Sequence, residues 1–163
     1  MGQGELIKAV IEASNASVWE RAKQEWDLVD IQLHEDGDEI KYCLCGHAIV
    51  ELCFIRNRFT GKTLMVGNVC VKKFLGIRSD KLFSAVKRIK ENLSAAVSRE
   101  MLQFAHDHNW IRDQDFVFYE GIIRKRKLSP AQLKWKSDIN ERIIREFHRL
   151  NRQKNRRSTE NYK

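Results

Sequence analysis

The sequence predicts an α+β fold on three observations. Cys43-Leu44-Cys45-Gly46-His47 is followed, across an alternating apolar stretch with a Thr60-Gly61 turn, by a lone Cys70. Apolar residues recur at helical spacing before and after that stretch. Thiolate and imidazole are the ligands Zn²⁺ takes, four at a time, in a closed structural site; Cys43, Cys45, His47 and Cys70 make four. The expected architecture is a treble-clef-like zinc module with a β-hairpin, joined by N-terminal helices and a C-terminal helical region.

Each element has a local cause. Leu6, Val10 and Ile11 share a helical face, and Ser17-Val18-Trp19-Glu20 has capping-box spacing that restarts a helix through Trp26. Residues 1–26 are therefore an N-terminal helical segment. Leu28, Val29, Ile31 and Leu33 suit a strand that ends at Asp36-Gly37-Asp38, and Ile40 and Tyr42 lead a short strand into the cysteine knuckle. Residues 49–56 are β-branched and aromatic, the loop is 57–62 and the return strand 63–66. Gly67-Asn68 caps a helix bearing Cys70, Val71, Phe74 and Leu75, and Gly76 closes it. Residues 27–76 are thus the zinc-binding module.

Helical patterns fill 77–150. Ser79-Asp80 opens a stripe of Leu82, Val86, Ile89 and Leu93; Met101 to Ala105 forms a short helix ending at His108-Asn109; Asp113 or Asp115 caps a third helix with Phe116, Tyr119, Ile122 and Ile123. Ser129-Pro130-Ala131-Gln132 starts the last helix, with Ser as N-cap, Pro in the first turn and Gln at the box position. It carries Leu133, Ile139, Ile143, Ile144, Phe147 and Leu150. Residues 151–163 lose the apolar pattern and read as a basic, disordered tail.

Charge is unevenly placed. The chain of 163 residues carries a formal +8, with −7 in residues 1–40, +5 in 41–80, 0 in 81–120 and +10 in 121–163. Such asymmetry fits a basic surface for a polyanion. No stretch approaches the roughly 20 apolar residues of a membrane span, and the N-terminus lacks a signal-peptide pattern. The expected compartment is the cytoplasm, where thiols stay reduced and the cysteines serve as ligands or core residues.

The site has a physical logic. Gly46 lets the backbone turn so that N–H groups face the thiolates, and Cys70 in a first helical turn has its thiolate favoured by the helix dipole. C-x-C is tighter than C-x-x-C, and the helix offers one ligand because positions 73 and 74 are Lys and Phe. The fourth ligand is therefore His47 or Cys53. His106 and His108 flank Asp107 near a helix end, where imidazolium suits the dipole and no catalytic role is needed.

These motifs resemble a group of bacterial and phage proteins with a small zinc-ribbon-like module. The resemblance rests on Cys43-x-Cys45-Gly46-His47, Ile55-Arg56-Asn57, Thr60-Gly61 and Val66-Gly67-Asn68-x-Cys70-Val71-Lys72-Lys73-Phe74. Trp110-Ile111, Leu128-Ser129-Pro130-Ala131-Gln132 and Ile139-Asn140 extend it over most of 17–150. It implies metal ligation by Cys43, Cys45 and Cys70, with His47 a candidate, and a phage or mobile-element origin.

The expected role is non-catalytic nucleic-acid binding, to DNA or RNA. Arg56, Arg58, Phe59 and Lys62 at the hairpin tip, with Lys72 and Lys73 beyond, offer cations around an aromatic that stacks on a base or folds into the core. Arg124-Lys125-Arg126-Lys127 and the helical spacing of Arg142, Arg145, Arg149 and Arg152 offer further phosphate contacts. The alternative is a protein-interaction module acting on a host protein. An HNH-like nuclease is a third reading, and it requires His47 to be free of the metal. No phosphate-loop, nucleophile-elbow or dinucleotide motif is present in the sequence.

Overall fold

The computed structural model describes residues 2–160, with side chains through Arg149. Leu150, Arg152 and the basic side chains beyond therefore lie outside the described residues, as does the expectation of a disordered tail. Helices and small antiparallel sheets combine into an α+β fold. The chain forms two compact units, one ending at Asp80 and one starting at Lys81.

In the first unit, α1 (Gln3–Glu12) buries Leu6 and Val10 of the expected face and leaves Ile11 half-buried. A one-turn α2 (Trp19–Ala22) follows, then a 3₁₀ turn (Lys23–Glu25). The expected capping box is not made: Val18 is the N-cap, with no side-chain cap bond, and the helix stops short of Trp26. Long-range pairing explains the difference. Trp26 starts β1 (Trp26–Leu33) opposite Asn57, and its indole Nε1 donates to Ser14 Oγ at 2.9 Å.

Two hairpins follow. β2 (Lys41–Tyr42) and β3 (Ala48–Ile49) flank the cysteine knuckle as a two-stranded ribbon. The sequence-predicted strand 49–56 is thus divided: Ile49 pairs with Lys41, and only β4 (Glu51–Asn57) enters the main sheet. There β4 lies between β1 and β5 (Thr63–Gly67), antiparallel to both, in the order β1-β4-β5. The β1–β4 register slips between Leu28 and Asp30, a bulge at Val29. α3 (Asn68–Leu75) follows β5 directly. Gly76 ends it at φ +69°, its N–H bonding the Lys72 carbonyl, a left-handed cap that favours glycine. Leu6, Val10, Trp26, Ile31, Ile55, Val66 and Val71 are among the buried residues of this unit.

The second unit is helical: α4 (Ser79–Glu91, whose first two residues precede the border), α5 (Arg99–Asp107), α6 (Asp113–Ile122) and α7 (Pro130–Glu160). Leu82, Val86 and Ile89 are buried as expected, but α4 stops at Glu91 and leaves Leu93 exposed. Arg112, not an aspartate, is the N-cap residue of α6; the Asp115 carboxylate accepts from its backbone N–H at 3.1 Å. At α7 the box closes as read: Gln132 N–H donates to Ser129 Oγ at 3.2 Å and Ser129 N–H to Gln132 Oε1 at 3.0 Å.

Two buried hydrogen-bond networks tie this unit together. Asp115, with no exposed surface, accepts from Arg112 Nε (3.1 Å), Arg142 Nη1 (2.6 Å) and Trp135 Nε1 (2.9 Å). Tyr119 Oη accepts from Val97 N–H (3.1 Å) and donates to Asn140 Oδ1 (2.9 Å), while Asn140 Nδ2 donates to the Leu93 and Ala95 carbonyls. No helix among the described residues is long and apolar enough to cross a membrane.

Candidate metal centre

Cys43 follows β2, Cys45 lies two residues on, and Cys70 sits in the first turn of α3. Their Sγ atoms all lie within 4.8 Å of one another, with Cys45 and Cys70 at 3.4 Å. Cys43 and Cys45 are buried and Cys70 half-buried. The knuckle that delivers two of them is a hydrogen-bonded turn. Gly46 N–H donates to the Cys43 carbonyl at 2.8 Å, Cys43 N–H to the His47 carbonyl at 2.9 Å, and Gly46 adopts φ +92°. From the opposite side, Gly67 N–H donates to Cys43 Sγ at 3.2 Å. A Cβ at Gly67 would stand 2.8 Å from Ile49 Cγ2 and 3.8 Å from Cys43 Sγ, so a larger residue here would force Ile49 to shift.

His47 is exposed, with Nδ1 3.3 Å from Cys45 Sγ. Cys53 is apart from the cluster. It is fully buried on β4 opposite Val66, and burial pushes its thiol up to about 12. It behaves as a small core residue, which is where free cysteine ordinarily sits.

Cys45 and Cys70 are pushed in opposite directions. Burial opposes ionisation of Cys45, but the backbone N–H and imidazole of His47, with the Cys70 and Cys43 thiols, outweigh it and bring Cys45 down to about 6. Cys70 goes the other way, up to about 12, through burial and then through its bonds to, and the charge on, Cys45 and Cys43. A bound cation favours the thiolate form of every cysteine that ligates it. The donor geometry also fits. Around a tetrahedral Zn²⁺ two thiolates stand about 3.8 Å apart, and a thiolate and an imidazole nitrogen about 3.6 Å. Three cysteines able to hold a metal ion are thus brought together here.

No family model, curated protein or solved structure matches the chain. Of the resemblance drawn from the motifs, the structure supports the cysteine cluster and nothing finer.

The predicted contact residues of the hairpin tip divide by what they already touch. Phe59 is 70% exposed, so it is not a core residue. Arg56 and Lys62 are exposed and have no carboxylate partner among the described residues. Arg58 is engaged with Asp27 at 3.6 Å and with the Gln24 carbonyl. Lys72 pairs with Asp80 at 3.3 Å, and Lys73 Nζ lies 5.2 Å from the Phe74 ring centroid. In the second unit Arg145 is exposed, Arg149 pairs with Glu146 at 2.8 Å, and Arg142 turns to Asp115 rather than extending the basic stripe.

Sequence reasoning missed the residues that hold the tip. Glu25, buried, accepts from Asn15 and Ala16 N–H and from Asn57 Nδ2, all at 2.8 Å. Burial works against its ionisation; the Asn57 amide, these two N–H groups and the Arg58 charge prevail and lower its pKa. Asn57, 1% exposed, accepts from Phe59 N–H (2.8 Å) and Thr60 N–H (2.9 Å), and Thr60 Oγ1 donates to the Ala13 carbonyl at 2.8 Å. A cleft of about 240 Å³ opens beside this loop, lined by Asp27, Val29, Arg56, Asn57, Arg58 and Gly61.

Proposed function

We propose that this chain is a zinc-anchored, non-catalytic nucleic-acid-binding protein, its first unit built on a treble-clef-like module. Cys43, Cys45 and Cys70 hold the metal with His47 as fourth ligand. A closed site of this kind supplies folding free energy, on the order of 10 kcal/mol, and no hydrolytic position. The metal clamps the knuckle to α3, and the β4–β5 hairpin springs from the clamped region.

One observation carries the binding reading: Phe59 is exposed on a loop whose backbone is fully tied down. Buried Asn57 and Glu25 are committed to holding a surface aromatic still between two unpaired cations, Arg56 and Lys62. Base stacking on the ring and phosphate pairing by the cations use all three. Electrophoretic mobility shifts with DNA and RNA over a salt series test it. Phe59→Ala and Arg56→Glu/Lys62→Glu are expected to weaken binding at least about tenfold without moving the melting temperature. Undiminished binding by both variants would refute it.

Exposed Ile40, Tyr42, Val50 and Val69 around the metal-binding segment favour a second reading, a protein-docking module. Absence of any nucleic-acid shift at low salt, with Tyr42→Ala/Val69→Ala abolishing capture of a defined partner, would put that reading first.

A further inference from the structure

We infer that the α6–α7 end of the second unit is a separate binding site for single-stranded nucleic acid. The two units divide the charge unequally: residues 1–80 sum to −2 and residues 81–163 to +10. Much of the excess is concentrated in one loop. Arg124, Lys125, Arg126 and Lys127 are consecutive, all exposed, and none has a carboxylate partner among the described residues. Of the other predicted cations of this unit, Arg142 and Arg149 are neutralised by Asp115 and Glu146, while Arg145 is exposed. Four adjacent like charges repel one another, and no carboxylate partner among the described residues offsets that cost. A phosphate backbone does.

A second observation comes from the helices that the loop joins. Phe118 of α6 and Trp135 of α7 stack in parallel, centroids 3.9 Å apart at 8°. Trp135 keeps 39% of its surface exposed, and its indole N–H is fixed on the buried Asp115 carboxylate. The stack is therefore oriented rather than mobile. Phe118 lies one helical turn before Ile122, the carbonyl that accepts from Lys125 N–H at 2.9 Å. The first cation of the loop, Arg124, follows Phe118 by six residues, just past the end of α6. In this mode a phosphate pairs with the loop cations and a base of the same strand stacks on the exposed part of the Trp135 indole. Oriented aromatics beside unpaired cations are the combination that binds single strands without sequence readout; a duplex keeps its bases stacked and presents no ring face to Trp135.

The inference rests on nucleic acid as the ligand class but not on the hairpin tip. Its test is fluorescence anisotropy of the full chain with a labelled oligothymidine, a duplex of equal length and anionic phosphatidylserine vesicles, over a salt series. The variants are Arg124→Gln/Lys125→Gln/Arg126→Gln/Lys127→Gln, Trp135→Phe and Phe59→Ala. Circular dichroism confirms folding, which the exposed loop changes leave intact. The loop variant is expected to bind the single strand about tenfold or more weakly, with a salt slope shallower by about 2 to 3, at about 0.7 per lost phosphate contact. Tryptophan quenching by the oligonucleotide is expected to fall in Trp135→Phe. If the loop variant matches wild type while Phe59→Ala weakens binding, this inference fails and the hairpin reading stands. If the loop variant weakens and Phe59→Ala does not, the hairpin reading fails and this one stands. Tighter binding of duplex, loop-dependent binding of vesicles alone, or no binding at all each overturns the assignment.

Discussion

Gly67→Ala probes the metal centre from its second layer. The residue sits at φ −73°, where alanine is unstrained, so any cost comes from contact and not from the backbone. The new Cβ would meet Ile49 Cγ2 at 2.8 Å, against the roughly 3.5–4.0 Å of an optimal carbon contact. Relief requires β3 to move away from β5, and β3 belongs to the ribbon that carries the knuckle. The Gly67 N–H bond to Cys43 Sγ, 3.2 Å long, stretches with it. Overpacking of this size costs about 1–3 kcal/mol. The restricted unfolded chain returns about 0.4–1 kcal/mol, leaving up to about 2.6 kcal/mol net, or a melting shift of up to about 10 °C. Metal affinity, read by competition with a chromophoric chelator, is expected to fall in parallel. Ile49→Ala in the Gly67→Ala background removes the clash and is expected to restore both quantities most of the way, a coupling visible in the double-mutant cycle. A Gly67→Ala protein with wild-type melting and wild-type metal affinity would refute this packing, as would a failure of Ile49→Ala to rescue it.

Three further outcomes follow from other parts of the molecule. Asn57→Ala removes two N–H caps of the tip and the amide facing Glu25, and is expected to cost about 2–4 kcal/mol by urea denaturation, whereas Phe59→Ala stays within about 0.5 kcal/mol. Burial opposes ionisation of Asp115, but Arg112, Trp135 and Arg142 hold its carboxyl well below the usual range. The unfolded aspartate takes up its proton near pH 4 while the folded one does not, so this stabilisation is complete above about pH 5 and is lost as pH falls toward the folded value. Asp115→Asn is expected to lose about 2–4 kcal/mol at neutral pH and to flatten the acid limb of a stability–pH curve. Tyr119→Phe strands the Val97 N–H and is expected to cost about 1–2 kcal/mol in the same assay.

Local chemistry was legible in the sequence wherever its partners are close in the chain. Ser129 and Gln132, Gly76 after α3, and the Cys43-x-Cys45-Gly46 turn need only a few residues to express their geometry, and the structure carries them as read. What was not legible depends on distant pairing. Ser17 and Glu20 spell a capping box, but the β1–β4 register claims Trp26, and Glu25 is taken by Asn15, Ala16 and Asn57. Asn57 reads as an ordinary loop residue until its partner 32 positions away is known. Arg142 matches its basic neighbours in spacing, yet Asp115, 27 positions earlier, draws it off the stripe. For the site, the cysteines were marked by chemistry and spacing. Gly67 reads as part of a helix cap, a position it does occupy, but the close approach of β5 that it permits depends on Ile49 and Cys43 and was not legible.

The proposed architecture depends on a metal held by the three clustered cysteines. Elemental analysis of the purified chain, with its melting curve before and after a strong chelator, reads that dependence directly. One zinc per chain is expected, lost in Cys43→Ser and Cys70→Ser, retained in Cys53→Ser, and weakened in His47→Ala, with a large drop in melting temperature on chelation. Protein holding no stoichiometric transition metal, whose melting the chelator leaves unchanged, would contradict it.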